Sequence, residues 1–360
     1  MKVLHIINGL GVGGAEKLIT DILPLFRKKN IETDLLLLNG IDTPFLRELK
    51  RSFSGNIFFL GNSYYNPLYI YKIISYLKNY DIVHVHLFPS QYFVAFAKFL
   101  SRSKIKLIFT EHNTVNRRIS NAKFRRLERF IYSYYSKIIC ITDEVKLALI
   151  DKLSLPTQKL ITINNGINLD LIHDSIKENR EKFGYADSDK LIIMVAAFRK
   201  QKDQDSVIRA LISLPLCYKL ILVGDGDRRG ELTDLVDNLN LLDRVNFLGV
   251  RTDVYNLIKM CDIAILSSHW EGFGLAAAEA MACGIPVLAS NVPGLAQVVE
   301  GGGMLFEKTD ILDLAEKILK LENQQFYMQQ VKKGLEKAQT YSINQMVDKT
   351  IDLYNNICIS

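Results

Sequence analysis

Short runs of Ile, Val and Leu recur along nearly the whole chain, each followed by a longer stretch whose apolar residues return at helical spacing. Strands buried on both faces read as continuous apolar runs, and a sheet whose two faces are covered by crossover helices is parallel, so the pattern specifies a parallel α/β architecture. The spacing predicts strands in VLHII, DLLLL, NIFFL, DIVHVH, KLIFT, KIICI and LITI, then, after a break, in LIIMVA, KLILVG, VNFLG, DIAIL and IPVLAS. The break is IHDSIKENREKFGYADSDK, Ile172 to Lys190, a polar segment that reads as a connection between domains with a short helix in it. At 360 residues the chain exceeds the usual size of one core, which agrees with two doubly wound domains. The last segment, SINQMVDKTIDLYNNI, spaces Ile343, Met346, Val347, Ile351, Leu353 and Tyr354 in a roughly helical pattern. An amphipathic terminal helix of this kind needs a partner surface.

Composition narrows the class. The start, MKVLHIINGLGVGG, reads as a first strand and not as a signal peptide, and no apolar run reaches the ~18 residues that span a bilayer. The five cysteines are far apart with no CxxC pair, as expected of reduced thiols in a cytoplasmic protein. A net charge of +6 is mild for this length and predicts no nucleic-acid partner. Its distribution is uneven: Arg117, Arg118, Lys123, Arg125, Arg126, Arg129 and Lys137 gather between Asn116 and Lys137 against one acid, Glu128. On a helix from about Asn121 to Tyr135, Phe124, Leu127, Ile131 and Tyr134 form an apolar stripe while Lys123, Arg125, Arg126 and Arg129 take other faces. One reading is a helix packed on the sheet with a solvated basic side. The other is peripheral attachment to anionic lipid, to which each Lys or Arg contributes about 1 kcal/mol.

Ligands of parallel α/β sheets bind beyond the carboxyl ends of the strands, so the motifs there carry the chemistry. NGLGVGGAEKLITDIL opens a helix with Gly9, Gly11, Gly13 and Gly14, which suits close approach of backbone to an anion, although neither a G-x-G-x-x-G register nor a GK[ST] is present. His84, His86 and His112 fall near strand ends. His84 and His86 are expected to point apart along their strand, and with no HxxxH or Cys partner a metal site is set aside. His84 reads as a core histidine, and His86 and His112 as candidates for the ligand side. Arg199, Lys200 and Lys202 sit between a strand and a helix, where fixed cations hold a diphosphate, or else form a solvated turn. Asp225 and Asp227 in VGDGD read as a tight turn and not a metal motif. In SSHWEGFGLAAAEAMACGIPVLASNVPG, Glu271 and Glu279 flank an almost wholly apolar segment, unlike carboxylates scattered on a solvated face.

Taken in order, GGAE, HVH, Thr110 to His112, NNGIN, QKD, VGDGD, RVNFLG, CDIAILSS and EGFGLAAAEAMACGIPV resemble the retaining glycosyltransferases of family 4, the group 1 transferases, over nearly the whole chain. The resemblance implies a GT-B fold: two Rossmann-like doubly wound domains facing a central cleft, with a C-terminal helix crossing back to the first. The expected divisions are 1–172 on the acceptor side, 173–340 for the nucleotide sugar, and 341–360 as the returning helix. It implies transfer from a nucleotide diphosphate sugar, uridine-linked on family frequency, to a glycan or lipid-linked acceptor of lipopolysaccharide or capsule synthesis, with no cofactor and no metal. By the family pattern Glu271, His112 and Lys202 are catalytic, with Glu271 accepting hydrogen bonds from donor-sugar hydroxyls and Glu279 from the ribose. Gly13, Gly14, Arg199, Lys202, Arg251, Gly272, Phe273, Gly274 and Leu275 complete the nucleotide-sugar side, and Glu16, His86 and Asn113 the acceptor side. Eight residues after Glu271, Glu279 is expected about two helical turns deeper. A glycosidase carboxylate pair is the rival account, but its groups must act on either side of a glycosidic bond, which the apolar spacer and the cations oppose. A nucleotide-sugar binder or epimerase of similar architecture is the alternative from another class. The family arginine five residues before the motif lysine falls on Ala197, and the family diglycine is Pro293 and Gly294.

Overall fold

The apolar runs become strands of two wholly parallel sheets. A computed structural model describes residues 1–11, 13–113 and 117–359. It divides the chain into one unit of Met1–Gly166 with Ile343–Ser360 and a second of Ile167–Ser342. In the first unit β1 (Lys2–Ile7), β2 (Glu32–Asn39), β3 (Ile57–Gly61), β4 (Ile82–His86), β5 (Lys106–Glu111), β6 (Lys137–Cys140) and β7 (Leu160–Thr162) pair in the order β3-β2-β1-β4-β5-β6-β7. In the second, β8 (Lys190–Val195), β9 (Tyr218–Val223), β10 (Val245–Gly249), β11 (Ile263–Leu266), β12 (Val287–Ser290) and β13 (Met304–Phe306) pair in the order β10-β9-β8-β11-β12-β13.

Strand order reverses between β1 and β4 and again between β8 and β11. Such switch points leave a crevice at the strand carboxyl ends, because the loops on either side diverge to opposite faces. At the first lie the glycine loop after β1 and His86 at the end of β4. At the second lie Arg199 to Lys202 after β8 and Ser267 to Glu271 after β11.

One face of the first sheet is covered by the helix Gly14–Lys28 and by the terminal helix Ile343–Ile359. Ile343, Met346, Val347, Leu353, Tyr354 and Ile357 enter one core with Val3, Ile22, Phe26, Leu35 and Ile108. The chain leaves and re-enters this unit side by side. A Cβ on Gly166 would lie 2.4 Å from Ile343 Cα, which leaves room only for glycine there, and Ile167 is bridged to Ser342. The first unit ends somewhat before residue 172 because the helix Leu169–Asp174 packs on the helix Leu275–Ala282 of the second.

Two local expectations need correction. Strand β13 was not predicted; three apolar residues after three glycines show no period of their own, and the strand exists by pairing with β12. The basic helix, Ala122–Ser133, buries only the later part of the expected stripe: Ile131 is buried and Tyr134, which follows the helix, is half-buried. Phe124, Leu127 and Phe130 are exposed, while Glu128, Ile131 and Tyr132 are buried. Burial of the carboxylate is compensated by Arg118 Nε and the Tyr92 hydroxyl, each 2.7 Å from Glu128 Oε1.

Candidate active site

In the second unit two loops are laced together. Ser267 and Ser268, directly after β11, are fully buried, and Ser267 Oγ donates to the carbonyls of Lys202 (3.0 Å) and Asp203 (2.8 Å). In return His269 N donates to Gln201 O (2.7 Å), and Gln201 Nε2 to Trp270 O (2.8 Å). This fixes the backbone of the cation loop against the carboxylate loop and brings Lys202 onto Glu271. The ammonium donates to Glu271 Oε2, which Ser268 Oγ also reaches at 3.2 Å, and Gly272 N lies 3.3 Å from Oε1. Only 20% of the Lys202 side chain and 14% of the Glu271 side chain reach solvent, so the pair is largely desolvated and interacts more strongly than a surface pair. Arg199 and Lys200 are exposed just before it.

The helix Leu275–Ala282 starts at Gly274, which has φ +87°. Glu271 therefore precedes the helix, and the expected two helical turns between the glutamates are in fact a loop and one turn. Glu279, on that turn, accepts from the Tyr255 hydroxyl at 3.0 Å. Gly294 has φ +83°, and a Cβ there would lie 2.3 Å from Glu271 O and 2.7 Å from Gly272 O. The second residue of Pro293-Gly294 thus keeps the role that only glycine fills. Phe273 is buried edge-on against Tyr341 at 5.1 Å. Arg251 makes two bonds to Asp253, at 2.8 and 2.5 Å, which lower the aspartate's pKa and raise that of the arginine. The first-turn amides at Leu275, with no intrahelical acceptor, and Lys202 are groups that suit an anion, and the two carboxylates are hydrogen-bond acceptors that suit hydroxyl groups. Asp225 is exposed and its Oδ1 takes the amide of Gly226 at 2.8 Å, as in a turn. Sequence reasoning missed Ser268, Gln201 and Tyr255, whose polar groups gave no spacing signal.

In the first unit Gly13 is extended and caps the helix that begins at Gly14. A Cβ on Gly13 would meet Glu16 Oε2 at 2.4 Å, which ties two predicted residues to one turn. Asn113 is exposed and its amide donates to Glu111 Oε1 at 3.2 Å. His84 and His86 do not point apart. Two residues apart on a strand they share a face, and their ring centroids are 4.3 Å from each other. His5, which sequence reasoning passed over, joins them because the register sets it beside His84. His84 is a core histidine, its Nδ1 2.5 Å from the Tyr354 hydroxyl and its Nε2 2.7 Å from Thr110 Oγ1. His86 meets His5 at 3.2 Å and His112 at 3.4 Å. Burial pushes the pKa of His5 down to about 3 and that of His112 to about 4, and holds His84 and His86 well below the usual range. Among the described residues, His5, His84 and His86 form the one group with metal-ligand spacing, their ring nitrogens within 4.8 Å of one another.

Two parallel α/β units, each with a switch point at its strand carboxyl ends, are of the GT-B class of fold. The family model for glycosyl transferases group 1 matches residues 175–339, and that for glycosyltransferase family 4 matches residues 12–171. N-acetyl-alpha-D-glucosaminyl L-malate synthase of Bacillus anthracis is 31% identical over 68% of this chain and 66% of that protein. An uncharacterized glycosyltransferase of Methanocaldococcus jannaschii is 32% identical over 74% of this chain and 72% of that one. The UDP-Gal:alpha-D-GlcNAc-diphosphoundecaprenol alpha-1,3-galactosyltransferase of Escherichia coli is 27% identical over 81% and 79%. In fold, the chain is similar to Anabaena HepE in complex with UDP and glucose, with a TM-score of 0.88, 23% identity, and coverage of 99% and 100%. The chain belongs to glycosyltransferase family 4 and is a glycosyltransferase.

Proposed function

We propose that this glycosyltransferase moves a sugar from a uridine diphosphate sugar to a glycan or lipid-linked acceptor of cell-surface polysaccharide, with retention of configuration. The observation that carries the reading is the Lys202–Glu271 pair at the start of the helix Leu275–Ala282. A diphosphate arriving there takes over the ammonium from one carboxylate, and Glu271 is left to accept the donor-sugar hydroxyls. Lys202, Arg199 and the helix amides then offset the charge that builds on the diphosphate as its bond to the sugar breaks, so no metal is needed for that task. Glu279, oriented by Tyr255, takes the ribose. His112 supplies a hydrogen bond to the reacting sugar. The uridine choice is supported by the UDP bound to HepE, and the lipid-linked acceptor by the name of the Escherichia coli relative.

No helix among the described residues is long and apolar enough to cross a membrane. Peripheral contact with the cytoplasmic leaflet is supported by Phe124, Leu127 and Phe130, exposed beside Lys123, Arg126 and Arg129. Phe99, itself exposed, adjoins Phe130 at 5.8 Å and extends the patch.

A screen of nucleotide sugars by thermal shift tests the donor: a ligand at ~100 times its Kd adds about 2.7 kcal/mol of apparent stability. A uridine-linked sugar is expected to stabilise, and no response to any nucleotide sugar overturns the reading. Mass spectrometry of products formed with cell-envelope lipid extracts in the presence of a chelator then identifies acceptor and metal need. Conversion of the donor without transfer would favour an epimerase, and binding of the donor without turnover a binder. Glu271→Gln and Lys202→Ala are expected to lose most transfer with the fold intact.

A further inference from the structure

His5, His86 and His112 form one row of imidazoles that runs from the core of the first unit to its surface. His5 Nδ1 lies 3.2 Å from His86 Nε2, and His86 Nδ1 lies 3.4 Å from His112 Nε2. The corresponding ring centroids are 5.5 and 5.7 Å apart. Each of these equals the N···N distance plus two ring radii of about 1.2 Å, so the rings meet edge to edge through in-line N–H···N bonds and are not stacked. His84 stands outside the row, with both its nitrogens on the hydroxyls of Tyr354 and Thr110.

A neutral imidazole carries one proton, so three rings hold three protons for two hydrogen bonds. The remaining proton sits at one end of the row, on His5 Nε2 or on His112 Nδ1. His5 is wholly buried and its Nε2 has no hydrogen-bond partner. An N–H there would forgo its bond where water does not reach, and an unmatched lone pair is the milder omission. His112 is partly exposed, and its Nδ1 is not an enclosed, partnerless atom as His5 Nε2 is, so an N–H at the outer end has the lower cost. The protons therefore order outward, from His5 Nδ1–H to His86 Nε2 and from His86 Nδ1–H to His112 Nε2. We infer that His5 and His86 are positioning residues that hold His112 in its Nδ1–H tautomer, so that His112 meets its ligand as a hydrogen-bond donor and not as a base. The functional half rests on the proposed role of His112 in sugar transfer; the tautomer does not.

The full-length protein labelled with 15N in the histidine rings tests this by long-range 1H–15N correlation at neutral pH. His5, His86 and His112 are expected to show the Nδ1–H pattern, and an Nε2–H pattern at His112 overturns the inference. Zn2+ alone, added and then chelated, is expected to leave these signals unchanged; ring shifts that follow the metal would make His5, His84 and His86 a metal site and overturn the row. In His86→Phe, His112 is expected to become a mixture of tautomers, and kcat to fall on the order of ten- to a hundredfold with little change in donor KM. A single unchanged tautomer in that variant overturns the positioning role. Should His86→Phe fail to fold, His5→Phe and the wild-type spectrum carry the same test. His112→Ala with wild-type turnover would remove the functional half while the spectrum stood, so the two failures are separable.

Discussion

At the scale of single residues, Gly294 shows how a site depends on an atom that is missing. Its φ of +83° is a conformation that side chains rarely adopt, and its Cα lies against the carbonyls of Glu271 and Gly272. Gly294→Ala is expected to cost at least about 2 kcal/mol of stability. It should also weaken donor binding, because the displaced backbone carries Glu271; a denaturant midpoint and a donor Kd measured on the same sample check both. An unchanged Kd would detach Gly294 from the site. Glu271 and Lys202 were legible in the sequence, since two glutamates around an apolar segment and a cation cluster after a strand are spacings that can be read. Tyr255 was not, because only tertiary structure brings it to Glu279 from 24 residues away, and Ser268, although three residues before Glu271, is a short polar residue with no spacing signal. The histidines were misread for another reason: a strand's alternation places His84 and His86 on one face, and register alone adds His5.

Among the elements, the helix Ala122–Ser133 departs furthest from its sequence pattern. Apolar periodicity identified the helix and, at Ile131, part of its buried face, but not Glu128, whose Oε1 accepts from Arg118 and Tyr92. Phe124 and Phe130 are turned outward beside the basic residues, while Tyr132 is buried. Vesicle co-sedimentation should recover the protein with anionic and not with neutral vesicles, and the bound fraction should fall at high salt and in an Arg125, Arg126, Arg129 triple alanine variant. Equal recovery in the supernatant with both vesicle types would remove the membrane from the account. The strands were easier to read than this helix face. A parallel strand buried on both sides needs only a continuous apolar run, which is why β1 to β12 were legible and the three-residue β13, dependent on its neighbour, was not.

Across the whole molecule, four histidines give stability a pH dependence. His5, His84, His86 and His112 all have folded pKa values below the usual 6.5, through desolvation by burial. Below pH 6.5 the unfolded chain binds protons that the folded first unit refuses, so stability is held above that pH and lost as pH falls toward the folded values, which are about 3 for His5 and about 4 for His112. Each group contributes a slope of up to about 1.4 kcal/mol per pH unit within that window. Thermal melts between pH 7 and pH 5 should show the midpoint falling steeply on acidification, and a flat profile would contradict the buried neutral state. Removal of residues 343–360 is expected to unfold the first unit and spare the second, with hydrogen exchange distinguishing the two, because the helix Ile343–Ile359 supplies one side of the first core. That helix also orders events in time. A ribosome makes the first sheet early, yet the apolar face that waits for Tyr354 and Val347 stays uncovered until residues 343–359 have been made. The unit begun before the second is completed after it, and a copy whose translation stops between the two displays a greasy surface that chaperones and proteases recognise.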